Sequence, residues 1–180
     1  MRKHQMTLIS DFYKQAHAEQ YPKGMNFIAS YFTPRMSRLS EENSLIVFGI
    51  QGFIKDYLIE RFNDTFFNVP LETILKEYER VIKHTLSHSY CEPTKIAELH
   101  SLGYLPIEIK ALKEGTKCPI KVPCIEITST KPGFEWVVQF IESIMSCQLW
   151  YPMTIANQAY KYRQIVNEYF EKTADDTAPR

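Results

Sequence analysis

Apolar residues recur at intervals of three and four through the middle of the chain. Ile50, Phe53, Ile54, Tyr57, Leu58 and Phe62 share one face of a predicted α-helix. A second helix opens at Pro70, which suits a first turn that needs no backbone donor. Its face is Leu71, Ile74, Leu75, Tyr78, Ile82 and Thr85 or Leu86. Pro93 opens a third, short helix that carries Ile96 and Leu99 and stops at Gly103. The period then changes to two. Ile107, Ile109 and Ala111 alternate with Glu108 and Lys110, which predicts a strand. Residues 112–123, with Gly115, Pro119 and Pro123, read as a loop or a pair of turns, and residues 124–130 as a second strand broken by Lys131-Pro132-Gly133. Phe134, Val137, Val138, Ile141, Ile144 and Met145 line another helix. Trp150-Tyr151-Pro152 is expected to interrupt it before a last helix that carries Ile155, Ala159, Tyr162, Val166, Tyr169 and Phe170.

Nearer the start, residues 10–20 read as a short helix capped by Ser10 or Asp11. Tyr21-Pro22-Lys23-Gly24 marks a turn. The aromatic and β-branched residues of 25–33 predict a strand with both faces covered, ending at Pro34, and 36–44 is a polar loop. No internal repeat is visible. The sum is an α+β fold, helix-rich with a small β-sheet. It forms one domain over residues 1–172, and the polar tail of 173–180 has no core-forming residue.

The 180 residues are 44% apolar and 13% aromatic, enough to bury one sizeable core. The 21 Lys and Arg balance 21 Asp and Glu, so a broad basic face for nucleic acid is not expected. A local basic pocket for a phosphorylated small molecule stays open. No apolar run reaches the roughly eighteen residues of a membrane span. The basic start, MRKHQMTLIS, lacks the apolar run of a signal peptide, so a cytoplasmic protein is expected. Cys91, Cys118, Cys124 and Cys147 form no CxxC pair and have no zinc-ligand spacing. They read as free thiols, with Cys91, near a helix end, the most exposed.

Motifs for phosphate loops, dinucleotide folds, nucleophile elbows and zinc proteases are missing from the chain. His84 and His88 are four apart, a spacing that places two imidazoles on one metal, but they lie off the apolar stripe and have no third ligand. A solvated pair is the simpler reading. Most aromatics fall on core stripes, except Tyr13 and the Tyr31-Phe32 pair. Tyr13 stands with Asp11, Lys14 and His17, which puts a π-face, a carboxylate, a cation and an imidazole within seven residues. Arg35 follows Pro34 at the end of a strand, where a guanidinium either clamps phosphate through two parallel hydrogen bonds or is a plain surface arginine.

Taken together, these segments resemble one family. SDFYKQAHAEQYP at 10–22 is similar to the D-x-Y-K-x-x-H-x-x-Q-Y-P motif of nicotinamide phosphoribosyltransferases, with Asp11, Tyr13, Lys14, His17, Gln20, Tyr21 and Pro22 at its fixed positions. SYFTPR at 30–35 is similar to S-Y-F-x-x-R, and FGIQGFI at 48–54 matches a family helix start loosely. LPIEIKALKEG at 105–115 is close to identical with the family pattern. FIESIMSCQLWYPMTIAN at 140–157 resembles W-I-E-T-x-L-x-x-x-W-Y-P-x-T-x-A. The resemblance runs from residue 8 to about 172.

The resemblance implies a type II phosphoribosyltransferase. Such an enzyme joins nicotinamide to 5-phosphoribosyl pyrophosphate and gives nicotinamide mononucleotide and pyrophosphate, with Mg2+ on the pyrophosphate. It implies that Tyr13 stacks on the pyridine ring in the partner subunit's site of a homodimer, that Arg35 reaches phosphate across the interface, and that Asp11 lines the same pocket. Lys14, His17 and Gln20 match the motif and are structural or functional. The family's H-D-F-G-x-R-G motif and its later histidine and aspartates do not occur in the chain. The catalytic α/β barrel is therefore expected to be missing, and the chain alone to be inactive. Two alternatives remain at this stage: part of a nicotinate phosphoribosyltransferase, or a non-catalytic module that pairs with a full-length homologue. A chain without the barrel should also expose apolar surface.

Overall fold

The computed structural model describes residues 4–38, 41–86 and 93–174. Three antiparallel strands form the larger sheet, in the order β1 (Ala29–Phe32), β5 (Ile125–Ser129), β3 (Ile107–Ala111). Ile127 lies opposite Ser30 on one side and Ile109 on the other. The predicted alternation therefore holds: Ile107 and Ile109 turn toward the core, while Glu108 and Lys110 turn outward and pair with each other at 3.1 Å. β1 is shorter than predicted and covered on one face only. Tyr31 is exposed there because its hydroxyl donates to Glu126 on the outer face (3.3 Å) while Phe32 packs on the core.

A second sheet pairs β2 (Ser44–Ile46) with β4 (Lys117–Pro119), neither of them expected as a strand: Ser44 ends the expected polar loop, and 117–119 lies within the loop expected over 112–123. Three-residue strands carry no measurable period, so tertiary pairing alone defines them. Leu45 faces Cys118 in this ladder.

The helices surround both sheets. α1 (His17–Gln20) ends the first helical segment, and α2 (Ile50–Phe53) opens the second. The chain then widens into π-helical winding at Ile54–Arg61, where an ordinary α-helix was expected, and again at Asn63–Phe67, beyond the expected helix. That winding brings Phe62, Phe66 and Phe67 into mutual ring contact, with Phe66 and Phe67 centroids 4.9 Å apart. α3 (Leu71–Thr85) buries Ile74, Tyr78 and Ile82, as its spacing predicts. α4 (Thr94–Leu102) ends at Gly103, whose φ of 79° suits the left-handed cap.

The largest departure is at the C-terminal side. α5 (Trp136–Phe140) is followed by one helix, α6, that runs unbroken from Glu142 to Thr173 through Pro152. Proline there loses one backbone hydrogen bond at a usual cost of about 3 kcal/mol. Packing offsets it: Leu149 and Met153 on either side are buried, and the Pro152 ring lies on Gly49. A Cβ at Gly49 would come within 2.9 Å of Pro152 Cβ, so glycine lets the two segments touch. None of the described strands forms a parallel barrel.

Among the cysteines, Cys118 and Cys124 are buried and Cys147 is exposed. Burial and the neighbouring Cys118 push the Cys124 thiol up to about 11. Cys91 and His88 lie outside the described residues, as do residues 175–180 of the tail. Among the described residues no group of three His, Cys, Asp or Glu can hold a metal ion, and no helix is long and apolar enough to cross a membrane.

Candidate functional site

Residues 10–22 fold as a tight 3-10 turn (Phe12–Ala16) running into α1, and they dock on the junction of α5 and α6. Four anchors hold them. The Ser10 hydroxyl donates to the Phe140 carbonyl (3.1 Å). The Asp11 backbone N–H donates to Ser143 Oγ (3.0 Å), and that hydroxyl donates back to the Asp11 carboxylate at 2.6 Å. Lys14 is buried and its ammonium pairs with Glu142. The Tyr21 hydroxyl donates to Gln139 (2.9 Å), and burial beside Glu135 raises its pKa, so it stays a donor.

Tyr13 points the other way. Its ring is 60% exposed although both neighbours in the motif are pinned. His17 lies 5.2 Å away at a tilt, and the Lys14 ammonium is 5.3 Å from the ring centroid. A cation held near one side of an aromatic ring enriches the platform electrostatically. The result is a flat, fixed, outward-facing surface suited to stacking a planar ring.

Arg35 lies on a different element. It follows β1 and is exposed, and its guanidinium makes no ion pair with a described residue. Its backbone is held in place, since the Pro34 carbonyl accepts from Lys121 N–H at 2.7 Å and Phe32 O accepts from Cys124 N–H at 2.9 Å. An unpaired guanidinium on an anchored strand end is able to bind an anion.

The three residues singled out from sequence thus divide. Tyr13 and Arg35 are presented outward, and no hydrogen bond or ion pair joins them to each other. Asp11 is tied to Ser143 and acts first as an anchor. Lys14 is an anchor as well. What the sequence reading lacked were the receiving groups, Glu142 and Ser143, which are more than 120 positions away in the chain. It also lacked the exposure of Trp150 and Tyr151, whose rings meet edge to face at 5.6 Å on the surface of α6.

Comparison with known proteins gives the same family. The family model described as nicotinamide phosphoribosyltransferase, N-terminal domain, matches residues 5–109. A nicotinamide phosphoribosyltransferase of Acinetobacter baylyi is 38% identical over 168 residues, covering 91% of this chain and 33% of its own length. One from Xanthomonas campestris pv. campestris is 28% identical over 176 residues, covering 95% of this chain and 34% of its own. The crystal structure of human nicotinic acid phosphoribosyltransferase superimposes with a TM-score of 0.61 at 17% identity, over 87% of this chain and 28% of that one, a likeness of fold. The chain spans about a third of the length of the curated relatives it matches. With more than half its residues under the family model, the chain belongs to the nicotinamide phosphoribosyltransferase family, as a form of its N-terminal domain.

Proposed function

We propose that this chain supplies the N-terminal share of a nicotinamide phosphoribosyltransferase and works together with a complementary catalytic part. In the reaction, the ring nitrogen of nicotinamide forms a bond to C1 of the phosphoribosyl group. The bond from C1 to the pyrophosphate oxygen breaks, and pyrophosphate leaves with the electron pair. Two needs of that reaction match what this chain offers. The base requires a flat face to hold it in line with C1, and Tyr13 offers one. The polyanion requires a cation, and Arg35 has its guanidinium unpaired among the described residues. Asp11 holds the Tyr13 turn against α6 through Ser143.

Because Tyr13 faces away from its own domain, it suits a site completed by a second subunit, and a homodimer is the assembly we propose. Mg2+ is expected to travel with phosphoribosyl pyrophosphate. The residues described here do not fit a magnesium site, since the Asp11 carboxylate is already hydrogen-bonded to Ser143 and no group of three His, Cys, Asp or Glu able to hold a metal ion lies among the described residues. The chain is therefore assigned no step through the metal. Both curated relatives bear the nicotinamide name, which favours nicotinamide over nicotinate as the base.

The observation that carries this reading is the exposure of Tyr13 on a base fixed by Asp11 and Lys14. The test is a mixing assay. The purified chain alone should form no nicotinamide mononucleotide. Combined with the portion of the Acinetobacter baylyi relative outside the matched third, it should form product. Tyr13→Ala should then reduce kcat/KM about 10- to 100-fold, the usual worth of one aromatic stack, while Tyr13→Phe keeps most of the rate. Product from the chain alone, or full activity of Tyr13→Ala, would overturn the reading.

A further inference from the structure

β3 is an edge strand among the described residues: β5 lies on one side of it and no strand on the other. Thr130 N–H donates to Pro106 O and Leu112 N–H donates to Cys124 O. In an antiparallel ladder these two bonds fix the parity. Residues 106, 108, 110 and 112 turn their backbone groups to β5, and Ile107, Ile109 and Ala111 turn theirs away. Leu105 O takes the Ile107 N–H. The Ile109 and Ala111 groups are left as a row pointing outward. Edges in soluble proteins are usually blunted by a proline, a bulge, a very short strand or charged side chains. β3 carries only the last, Glu108 and Lys110, and these pair with each other on the outer face; it runs five residues in one-to-one register, with no proline inside.

Beside this edge lies an open cavity of about 500 Å³, lined by both apolar and polar atoms. Ile107 and Ile109 form one wall, and Ile54, Leu58, Asn63 and Phe67 form the other. The second wall exists because of the π winding. Positions 54, 58, 63 and 67 are spaced by four or five, close to the roughly 4.4 residues of a π turn. An α-helix over the same stretch would put 54 and 58 on the side opposite 63 and 67. The Asn63 side-chain amide makes no hydrogen bond with a described residue.

We propose that the β3 edge and this cavity together receive a further strand, an extended segment with apolar side chains at alternate positions. Its source is the complementary part that the relatives carry beyond the matched third, so the inference rests on the function proposed above. Where water is displaced, extended backbone is what satisfies a row of outward N–H and C=O groups two residues apart. The side chains opposite Ile107 and Ile109 fall over the cavity. Those opposite Glu108 and Lys110 fall on the charged outer face, where the complement is a basic residue against Glu108 and an acidic one against Lys110. The relatives have the length to supply such a segment, since this chain accounts for 33–34% of them.

The test uses the full chain and, as probe, the portion of the Acinetobacter baylyi relative outside the matched third, with its fold checked by circular dichroism. In the complex, the Ile109 and Ala111 amides should become protected from hydrogen exchange by at least about tenfold. Ala111→Pro removes one outward donor from an exposed position without touching a bond to β5. It should weaken the complex about tenfold or more and leave the melting temperature of the free chain nearly unchanged. Ile59→Glu, at the exposed mouth of the cavity, should weaken it as well. A complex in which both amides exchange freely and both variants bind normally overturns the proposal and leaves the functional reading standing. If no complex forms, both fall.

Discussion

Between Glu142 and Met153, α6 buries Ile144, Met145, Leu149 and Met153 against the domain. Beyond Met153 the same helix still carries large apolar residues, yet Ile155, Tyr162, Ile165, Val166 and Tyr169 are 42–68% exposed. The first half is clasped by Gly49, by Tyr57 (whose hydroxyl donates to Gln148 at 2.8 Å) and by the 10–22 turn through Glu142 and Ser143. The second half is tethered by the ion pair of Lys161 with Glu42, at 2.6 Å. Apolar spacing makes both halves helical, but it does not say which one has a neighbour. A contiguous exposed apolar stripe of this kind marks an interaction surface.

The contrast can be broken most strongly in the buried half. Leu149→Ala removes a side chain with no exposure and leaves a cavity, so unfolding free energy should fall by about 2–5 kcal/mol in denaturant titration. Gly49→Ala should cost roughly 2–3 kcal/mol, through a left-handed φ of 87° and a clash with Pro152. Adding Pro152→Gly, which removes the Cβ that the new methyl group meets, should recover the clash part and not the backbone part. A double variant no more stable than Gly49→Ala would show that the contact does not hold α6.

The tether tests the second half through pH. Hydrogen bonds from Lys161 hold the Glu42 carboxyl down to about 2, from an ordinary value of 4.5. A depressed carboxylate stabilises the fold above its unfolded pKa, and the stabilisation is lost as pH falls toward its folded one. Wild type should therefore exceed Glu42→Gln in stability by a constant margin above pH 4.5, and the margin should shrink between 4.5 and 2. A margin that does not change with pH would remove the ion pair as the tether. The smallest effect is expected on the stripe. Tyr162→Ser and Tyr169→Ser should change the stability of the free chain by no more than about 0.5 kcal/mol. They should also raise its solubility and reduce self-association in sedimentation. A large loss of stability would mean that the stripe is already covered within the domain.

Much of this was legible along the chain, for a local reason. α3, α4, β3 and β5 follow their apolar periods, and Gly103 stops α4 where a glycine cap is expected. The motifs at 10–22, 30–35, 105–115 and 140–157 together named the family, each of them a short local run of the chain. The π winding, the two three-residue strands and the passage of α6 through Pro152 were not legible. Each depends on packing between residues far apart: the Phe62, Phe66 and Phe67 cluster, the Leu45–Cys118 pairing, and Pro152 on Gly49.

By itself, the sequence determined which stretches are amphipathic, where α3 and α4 start and stop, and to which family the chain belongs. These depend on side-chain order along a few turns. Only the tertiary structure decided that Asp11 and Lys14 are anchors while Tyr13 faces outward, and that one half of α6 is buried and the other open. Exposure is set by what lies opposite a residue in space, and the groups opposite Asp11 and Lys14 stand more than 120 positions along the chain.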